Sequence, residues 1–453
     1  MSPFRYHVFI CDQGKPEGMP CCAARGSARV IEVLRREVAA QGLSNEVQIT
    51  ACGSLGLCDR GPNMVVYPEG TWYSNLTPQD IPEIVRTHFQ GGSPAVRLAH
   101  QDAPALKAEI LSQREKMLAA QRSREAAGVL PDEVSNTLRA FQESRVLLTA
   151  VEMDLFSAVG SGAGAQEVSG RIGSHPRATE MLMNALTGMG WLRKQDNIFF
   201  NTPLGTRFFV AGSADDARAP TLHLVYLWNT WSTLTASVRA GTAVFQREMA
   251  DRGEEWRQAF IAAMHRNAQT RAPQVANAVG TEEVNRMLDV GGGSGAYSIA
   301  FANAKPSLQV VLLDLAQVLP IAEGHIARAG LAGRIQTRAG DLRADKFGEG
   351  YDLVFVSAIC HMLGPEENKD LLKRCHEALA PNGRVVIQDF ILEPDRTAPK
   401  SAALFALNML VGTANGNTYT ETEYAAWLGE AGFREVRQMR LPGPAGLIVG
   451  RRG

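Results

Sequence analysis

His361 ends the run VFVSAICHML, which is otherwise apolar enough for a buried strand. An imidazole there can accept a substrate proton as a general base, or it can cap the strand end by hydrogen bonding. Upstream, NRMLDVGGGSGAYSIAFANA joins a hydrophobic strand to a helix through a turn containing Gly291, Gly293 and Gly295. Glycines allow tight curvature and let a ligand approach the helix N-terminus. Asp314 closes the next strand, and RIQTRAGDL then supplies Gly340 and Asp341. Gly291, Gly293 and Ala296 with Asp314 also satisfy the dinucleotide fingerprint. Spacing alone therefore leaves a nicotinamide cofactor and S-adenosylmethionine unseparated, since both offer a ribose diol to a carboxylate. Asp341 favours S-adenosylmethionine, because a second acid after the following strand suits the exocyclic amine of adenine. The third consecutive glycine also suits a methionine chain lying on the turn.

A second set of reactive side chains lies far from the first. Of seven cysteines, Cys11, Cys21, Cys22, Cys52 and Cys58 fall within the first 58 residues. No export signal precedes them, which argues against disulfides. Four loop thiolates converging on one point suit zinc or an iron–sulfur cluster. Structural zinc favours paired Cys-x2-Cys knuckles, and none exists here. The spacings of ten residues between Cys11 and Cys22 and five between Cys52 and Cys58 favour the cluster over zinc, with free thiols as the alternative. Cys360 and Cys375 sit in apolar or helical surroundings and read as packing.

The elements that must position these groups fall into three regions. YHVFIC, EVQITAC and NMVVYPEGTWY read as strands, ARVIEVLRREVAAQG as an amphipathic helix, and TPQDIPEIVRTHF as a closing helix with Thr77 as N-cap. Residues 103–127, rich in Ala, Glu, Lys, Arg and Gln, predict a helical linker. Helices with clear apolar faces follow, then KQDNIFFNTPLGTRFFV as a hairpin ending in a turn. That combination suggests a winged helix, usually a DNA reader. The candidate recognition helix, PRATEMLMNALTGMG, carries only Arg177 as a base, so packing and dimerisation are the better reading. From residue 286 onward strands and helices alternate, as in a sheet that binds ligand at the carboxyl ends of its strands.

Length and composition agree. A chain of 453 residues, 45% apolar and 21% charged, predicts two or three globular domains. A formal net charge of −1 gives no nucleic-acid footprint, and no run is long enough to span a bilayer, so a cytoplasmic location is the expectation.

Two resemblances sharpen the picture. HVFIC, CCAARGS, CDRGPNMVVYPEGTWY and IVRTHFQGGSPAVRL resemble the thioredoxin-like 2Fe–2S ferredoxins. That likeness implies Cys11, Cys22, Cys52 and Cys58 as cluster ligands; the family's usual third position falls on Ser54, and Cys21 is an alternative ligand. DVGGGSG, LDL, AGDL, ICH, HEALAPNGRVVIQDFIL and TYTETEYAAWLGEAGF resemble the class I O-methyltransferases of the caffeate and acetylserotonin type. This likeness implies cofactor contacts at Gly291, Gly293, Asp314, Leu315, Gly340, Asp341, Leu342 and Ser357. It makes His361 the general base and Asp389 an acid that holds it. Three positions depart from the plant relatives: Met362-Leu363 replace Asp-Trp, Ser357 replaces a lysine for the cofactor carboxylate, and Thr418 replaces a second orienting acid. A free imidazole, with a pKa of about 6.5, is mostly unprotonated at neutral pH and able to accept the acceptor's proton.

The expected architecture is α/β throughout. It comprises a thioredoxin-like 2Fe–2S ferredoxin domain (1–102), a helical linker (103–129), a winged-helix-like dimerisation domain (130–250) and a Rossmann-like methyltransferase domain (251–453). The expected activity is methyl transfer from S-adenosylmethionine to a hydroxyl of a small aromatic molecule by a homodimer. The cluster would serve an electron-transfer partner or act as a redox-sensitive brace. The rival readings are C-methylation of a tetrapyrrole or other ring, with His361 binding rather than deprotonating, and a redox sensor whose methyltransferase part only binds cofactor.

Overall fold

Alternating side chains in YHVFIC send Val8 and Ile10 into an apolar core and fix the first strand, β1 (Tyr6–Cys11). The computed structural model describes residues 3–15, 19–244, 253–443 and 445–453. The chain divides into two compact units, residues 1–141 and 142–453. In the first, β1 lies between the parallel β2 (Val47–Cys52) and the antiparallel β3 (Met64–Tyr67), and β4 (Thr71–Tyr73) closes the sheet in the order β2-β1-β3-β4. Helix Ser27–Ala40 crosses between β1 and β2 and buries Val30, Leu34 and Val38 along one face. The closing helix differs from its expected start. Asp80 accepts hydrogen bonds from both the amide and the hydroxyl of Thr77, which makes a turn there, and the helix begins at Ile81 with Pro82 in its first turn. Helix Ala103–Ala126 occupies the expected linker.

In the second unit a small sheet forms from β5 (Ala163–Gly164), β6 (Leu192–Gln195) and β7 (Ile198–Asn201) in the order β5-β7-β6. Asp196 and Asn197, both at positive φ, make the tight turn of the β6–β7 hairpin. The segment after it is a helix rather than a turn, Pro203–Phe209. Thr202 caps it by accepting from the Gly205 amide, and Pro203 occupies its first position. Phe156, Met183, Leu186 and Phe199 unite these elements in one core. The expected boundary at residues 250 and 251 lies outside the described residues.

The large sheet contains β8 (Arg286–Val290), β9 (Gln309–Asp314), β10 (Ile335–Ala339), β11 (Tyr351–Ser357), β12 (Leu379–Leu392), β13 (Tyr419–Thr420), β14 (Phe433–Met439) and β15 (Ala445–Arg452). Its order is β10-β9-β8-β11-β12-β15-β14, with β13 beside the end of β12. β8 to β12 run parallel, and β15 is antiparallel to both its neighbours. Strand order reverses between β8 and β11, which opens a crevice at their carboxyl ends. The central strands carry Leu288, Val290, Leu312, Val354 and Val356, fully or almost fully buried, as a sheet covered on both faces requires. Among the described residues no helix is long and apolar enough to cross a membrane.

Candidate functional site

The glycine turn leaves β8 where the strand order reverses. Gly291, Gly293 and Gly295 hold φ values of +69°, +55° and +77°, a region closed to most side chains. A Cβ on Gly291 would meet Ile359 Cδ1 at 2.4 Å, with Leu342 Cδ2 at 3.7 Å. One on Gly293 would point into open space, with no atom within 4 Å. Asp314, at the end of β9, accepts from the Gly293 and Leu315 amides at 2.7 Å each. Burial pushes its carboxyl up against the pull of those two donors. The Gly340 amide donates to the Asp314 carbonyl at 3.0 Å. The structure therefore brings Gly291, Gly293, Asp314, Leu315, Gly340 and Leu342 to one edge. Asp341 lies exposed in the turn beyond β10, its carboxylate accepting from the Arg343 amide at 2.8 Å. Ser357 stands at the end of β11 and donates to Gln388 Oε1 at 2.7 Å, with the Tyr297 side chain beside the pair.

Asp289 belongs to this site and was not singled out from sequence. The signal was an acid inside the apolar strand RMLDV. It is 1% exposed and accepts from Ser298 Oγ at 2.6 Å. Burial, with repulsion from Asp314, pushes its carboxyl up to about 7 despite the Ser298 hydrogen bond. Unfolded, the same group has its ordinary value of 3.8. As pH rises between these values the unfolded chain releases a proton that the fold retains, so stability falls across the window and stays low above it. Asp289→Asn is expected to flatten this slope and raise the melting temperature relative to the native chain at about pH 8. Thermal melts between about pH 5 and pH 8 check this, and unaltered slopes would contradict it.

His361 sits in a short 3-10 turn just beyond β11. Its Nδ1 pairs with Asp389 Oδ1 at 2.6 Å, and its own amide donates to Asp389 Oδ2 at 3.1 Å. Asp389, 2% exposed on β12, also accepts from the Phe390 amide at 2.8 Å and the Tyr424 hydroxyl at 3.5 Å. Every donor around this carboxylate therefore fixes it as an acceptor. Nε2 of His361 has no hydrogen-bond partner among the described residues. The Phe405 ring meets the imidazole edge to face at 4.8 Å and stacks on Phe390 at 4.1 Å. Thr418 does not reach His361; its hydroxyl donates to the Ala402 carbonyl at 3.0 Å.

In the first unit Cys11 and Cys52 are register partners at the ends of β1 and β2. Burial, reinforced by the neighbouring Cys11, pushes the Cys22 thiol up to about 12. Asn63 Nδ2 approaches Cys22 Sγ at 3.5 Å, and a Cβ on Gly61 would lie 2.7 Å from that sulfur. Cys58 is engaged elsewhere: its sulfur accepts from Lys15 Nζ at 2.9 Å and lies 3.4 Å from Ser54 Oγ. Cys21 Sγ accepts from the Ala24 amide at 3.4 Å. Among the described residues no group of three or more His, Cys, Asp or Glu side chains is spaced to hold a metal ion. The four-cysteine set expected from sequence is therefore not among such groups, and the Cys58 sulfur faces the Lys15 ammonium.

Residues 231–434 match the O-methyltransferase domain family, and residues 135–211 match the O-methyltransferase dimerisation domain. The 3-hydroxy-5-methyl-1-naphthoate 3-O-methyltransferase of Streptomyces sahachiroi is 34% identical over 317 residues, covering 68% of this chain and 91% of that protein. The S-adenosyl-L-methionine-dependent methyl transferase PigF of Serratia is 27% identical, covering 70% and 94%. The solved structure of a putative O-methyltransferase from Nostoc punctiforme superposes with a TM-score of 0.63 at 29% identity, covering 71% of this chain and 99% of that one.

Proposed function

Because this chain belongs to the O-methyltransferase family and is an S-adenosylmethionine-dependent enzyme, we propose that its acceptor is a hydroxyl on a small aromatic molecule, with His361 as general base and Asp389 as its positioning carboxylate. The observation that carries this reading is the 2.6 Å bond between His361 Nδ1 and Asp389 Oδ1, with Nε2 left unpartnered among the described residues. A carboxylate accepting from Nδ1–H fixes the tautomer whose lone pair lies on Nε2. As Nε2 takes the hydroxyl proton, Asp389 stabilises the imidazolium that forms. Phe405 and Phe390 give the neighbouring wall an aromatic face suited to a planar acceptor.

S-adenosylmethionine supplies a methyl group already activated on a sulfonium. The open side of Gly293 and the aligned carboxylate of Asp314 fit such a ligand. We assign Gly291 and Gly293 to its methionine chain, Asp314 and Leu315 to the ribose, and Gly340, Asp341 and Leu342 to the adenine. Ser357 stands at the carboxylate end, where its hydroxyl is tied to Gln388. The reading keeps domains at 1–102, 103–129, 130–250 and 251–453, and a homodimer formed through the matched dimerisation domain. Calorimetric titration with S-adenosylmethionine, followed by mass analysis across hydroxylated aromatics, tests it. Cofactor binding with no methylated product from any of them would count against the reading.

A second proposal concerns the N-terminal unit: Cys11, Cys22, Cys52 and Cys58 hold a 2Fe–2S cluster on a thioredoxin-like sheet. The register pairing of Cys11 with Cys52, the nearness of Cys22 to Cys11, and the bare Gly61 beside Cys22 support it. A cluster there supplies one-electron chemistry, either toward an electron-transfer partner or as a redox-sensitive brace. Anaerobically purified protein is expected to be brown, with iron and acid-labile sulfide in equal amounts. Cys52→Ser should lose both, and Cys21→Ser should keep them. A colourless or zinc-containing protein would overturn the proposal.

A further inference from the structure

His265 and His325 stack on one another, with ring centroids 3.8 Å apart and planes 23° from parallel. His265 comes from helix Glu254–Gln269 and His325 from helix Leu319–Arg328. Both helices reach the glycine turn. Nδ1 of His265 lies 2.9 Å from the hydroxyl of Ser294, the buried residue between Gly293 and Gly295. A Cβ on Gly295 would lie 3.6 Å from Cγ1 of Ile326, the residue after His325. Arg328 Nη2 stands 3.0 Å from Nδ1 of His325. A guanidinium only donates, so that nitrogen accepts, and the ring is neutral with its proton on Nε2. A further proton on either ring would set like charges against each other and against Arg328.

Other charged groups nearby are turned elsewhere. Arg266 donates to the Asp216 carbonyl at 3.1 Å, Glu323 accepts from the Thr337 hydroxyl at 2.7 Å, and Asp314 accepts from the Gly293 and Leu315 amides. Tyr297 lies beside Ser357 and Gln388, and Arg338 of β10 donates to the Phe347 carbonyl. On helix Arg218–Trp231, packed against the helix of His265, Arg218 pairs with Asp216 and Asp154, and the His223 ring lies against Trp256 and Phe260. Among the described residues, Arg328 and the two rings themselves are thus the groups whose charge bears on the pair. Burial and then Arg328 press His265 below its ordinary value of 6.5; burial, His265 and Arg328 press His325 down to about 4.

We propose that His265, held by its stack on His325, positions Ser294 and keeps the glycine turn shaped for S-adenosylmethionine, and that a proton on the pair releases the turn and the cofactor. The inference rests on the reading that seats the cofactor on Gly291 and Gly293, and it gives that site a sensitivity to acid. A ring whose value in the fold lies below its ordinary one contributes its full stability above 6.5 and loses it as pH falls toward about 4. Released rings return to the ordinary value, so each pH unit below that value favours the released turn by up to about tenfold per ring.

The test measures S-adenosylhomocysteine affinity of the full chain by calorimetry at about pH 7.5 and about pH 5.5, beside thermal melts without cofactor. Native affinity is expected to fall by about threefold or more in acid. His325→Phe keeps a ring for the stack but cannot charge, and His325→Gln stays neutral and can still accept from Arg328. Both should bind almost equally at the two pH values and lose less stability in acid than the native chain. Burial raises the Asp314 carboxyl, so any fall that these variants share with the native chain belongs to that group. His265→Phe, which leaves Ser294 without its partner, should bind about two- to tenfold more weakly at pH 7.5, the range of one neutral hydrogen bond. A native chain that binds with the same pH response as both His325 variants would overturn the inference alone. So would native affinity in His265→Phe. A native chain that fails to bind S-adenosylhomocysteine at either pH would overturn the cofactor reading as well.

Discussion

His361→Ala is expected to bind S-adenosylmethionine as the native chain does and to transfer the methyl group about a hundred- to ten-thousandfold more slowly. The expectation follows from where the ring sits. It touches Asp389, Phe405 and backbone at the end of β11, whereas the glycine turn is shaped by Ile359, Leu342 and Asp314. Removing the imidazole therefore deletes the proposed proton acceptor and leaves the glycine turn standing. It also leaves Asp389 buried, though still bonded to the Phe390 amide and the Tyr424 hydroxyl. A stability loss is expected alongside the kinetic one, and His361→Asn, which can keep a donor toward Asp389, should recover folding without recovering rate. The informative signature is a loss in kcat with the cofactor affinity unmoved. A variant that turns over at the native rate would remove His361 from the chemistry.

The second large effect is expected at the glycine turn, where two neighbouring substitutions should behave differently. Gly291→Ala puts a side chain at φ +69° and within 2.4 Å of Ile359 Cδ1. Left-handed backbone costs about 1–2 kcal/mol and overpacking about 1–3 kcal/mol, so both stability and cofactor affinity should fall. Gly293→Ala carries a similar backbone cost at φ +55° but meets no atom within 4 Å. Its stability loss should be the smaller of the two, while its new methyl occupies the space assigned to the methionine chain. Calorimetry and thermal melts on the pair separate the effects. Native cofactor affinity in Gly293→Ala would show that the open side of the turn is not the cradle.

Much of the catalytic unit was legible because local chemistry and topology agree there. GGGSG needs glycine for its positive φ values, Asp314 closes a strand of otherwise apolar residues, and His361 and Asp389 each end or interrupt a buried run. The ligand edge of a parallel sheet then gathers them. What stayed hidden depends on contacts between distant segments. Asp289 looked like one more strand residue until Ser298 and Asp314 were seen beside it. Gln388 and Tyr297 meet Ser357 only because β11 and β12 pair in register and the helix after the glycine turn packs over them. The His265–Ser294 contact joins residues 29 positions apart and has no local signature. In the first unit the strand ends of Cys11 and Cys52 could be read from alternation, whereas the diversion of Cys58 toward Lys15 could not. The start of the helix at Ile81 turned on one Asp80 carboxylate outcompeting the Thr77 cap.

The most direct test of the central claim is carbon-13 NMR of the product formed from methyl-labelled S-adenosylmethionine and an aromatic acceptor. A proton-accepting imidazole beside the sulfonium predicts a single new methoxy resonance, absent with His361→Ala under the same conditions. A label appearing on a ring carbon instead, or a methoxy signal undiminished in that variant, would contradict it.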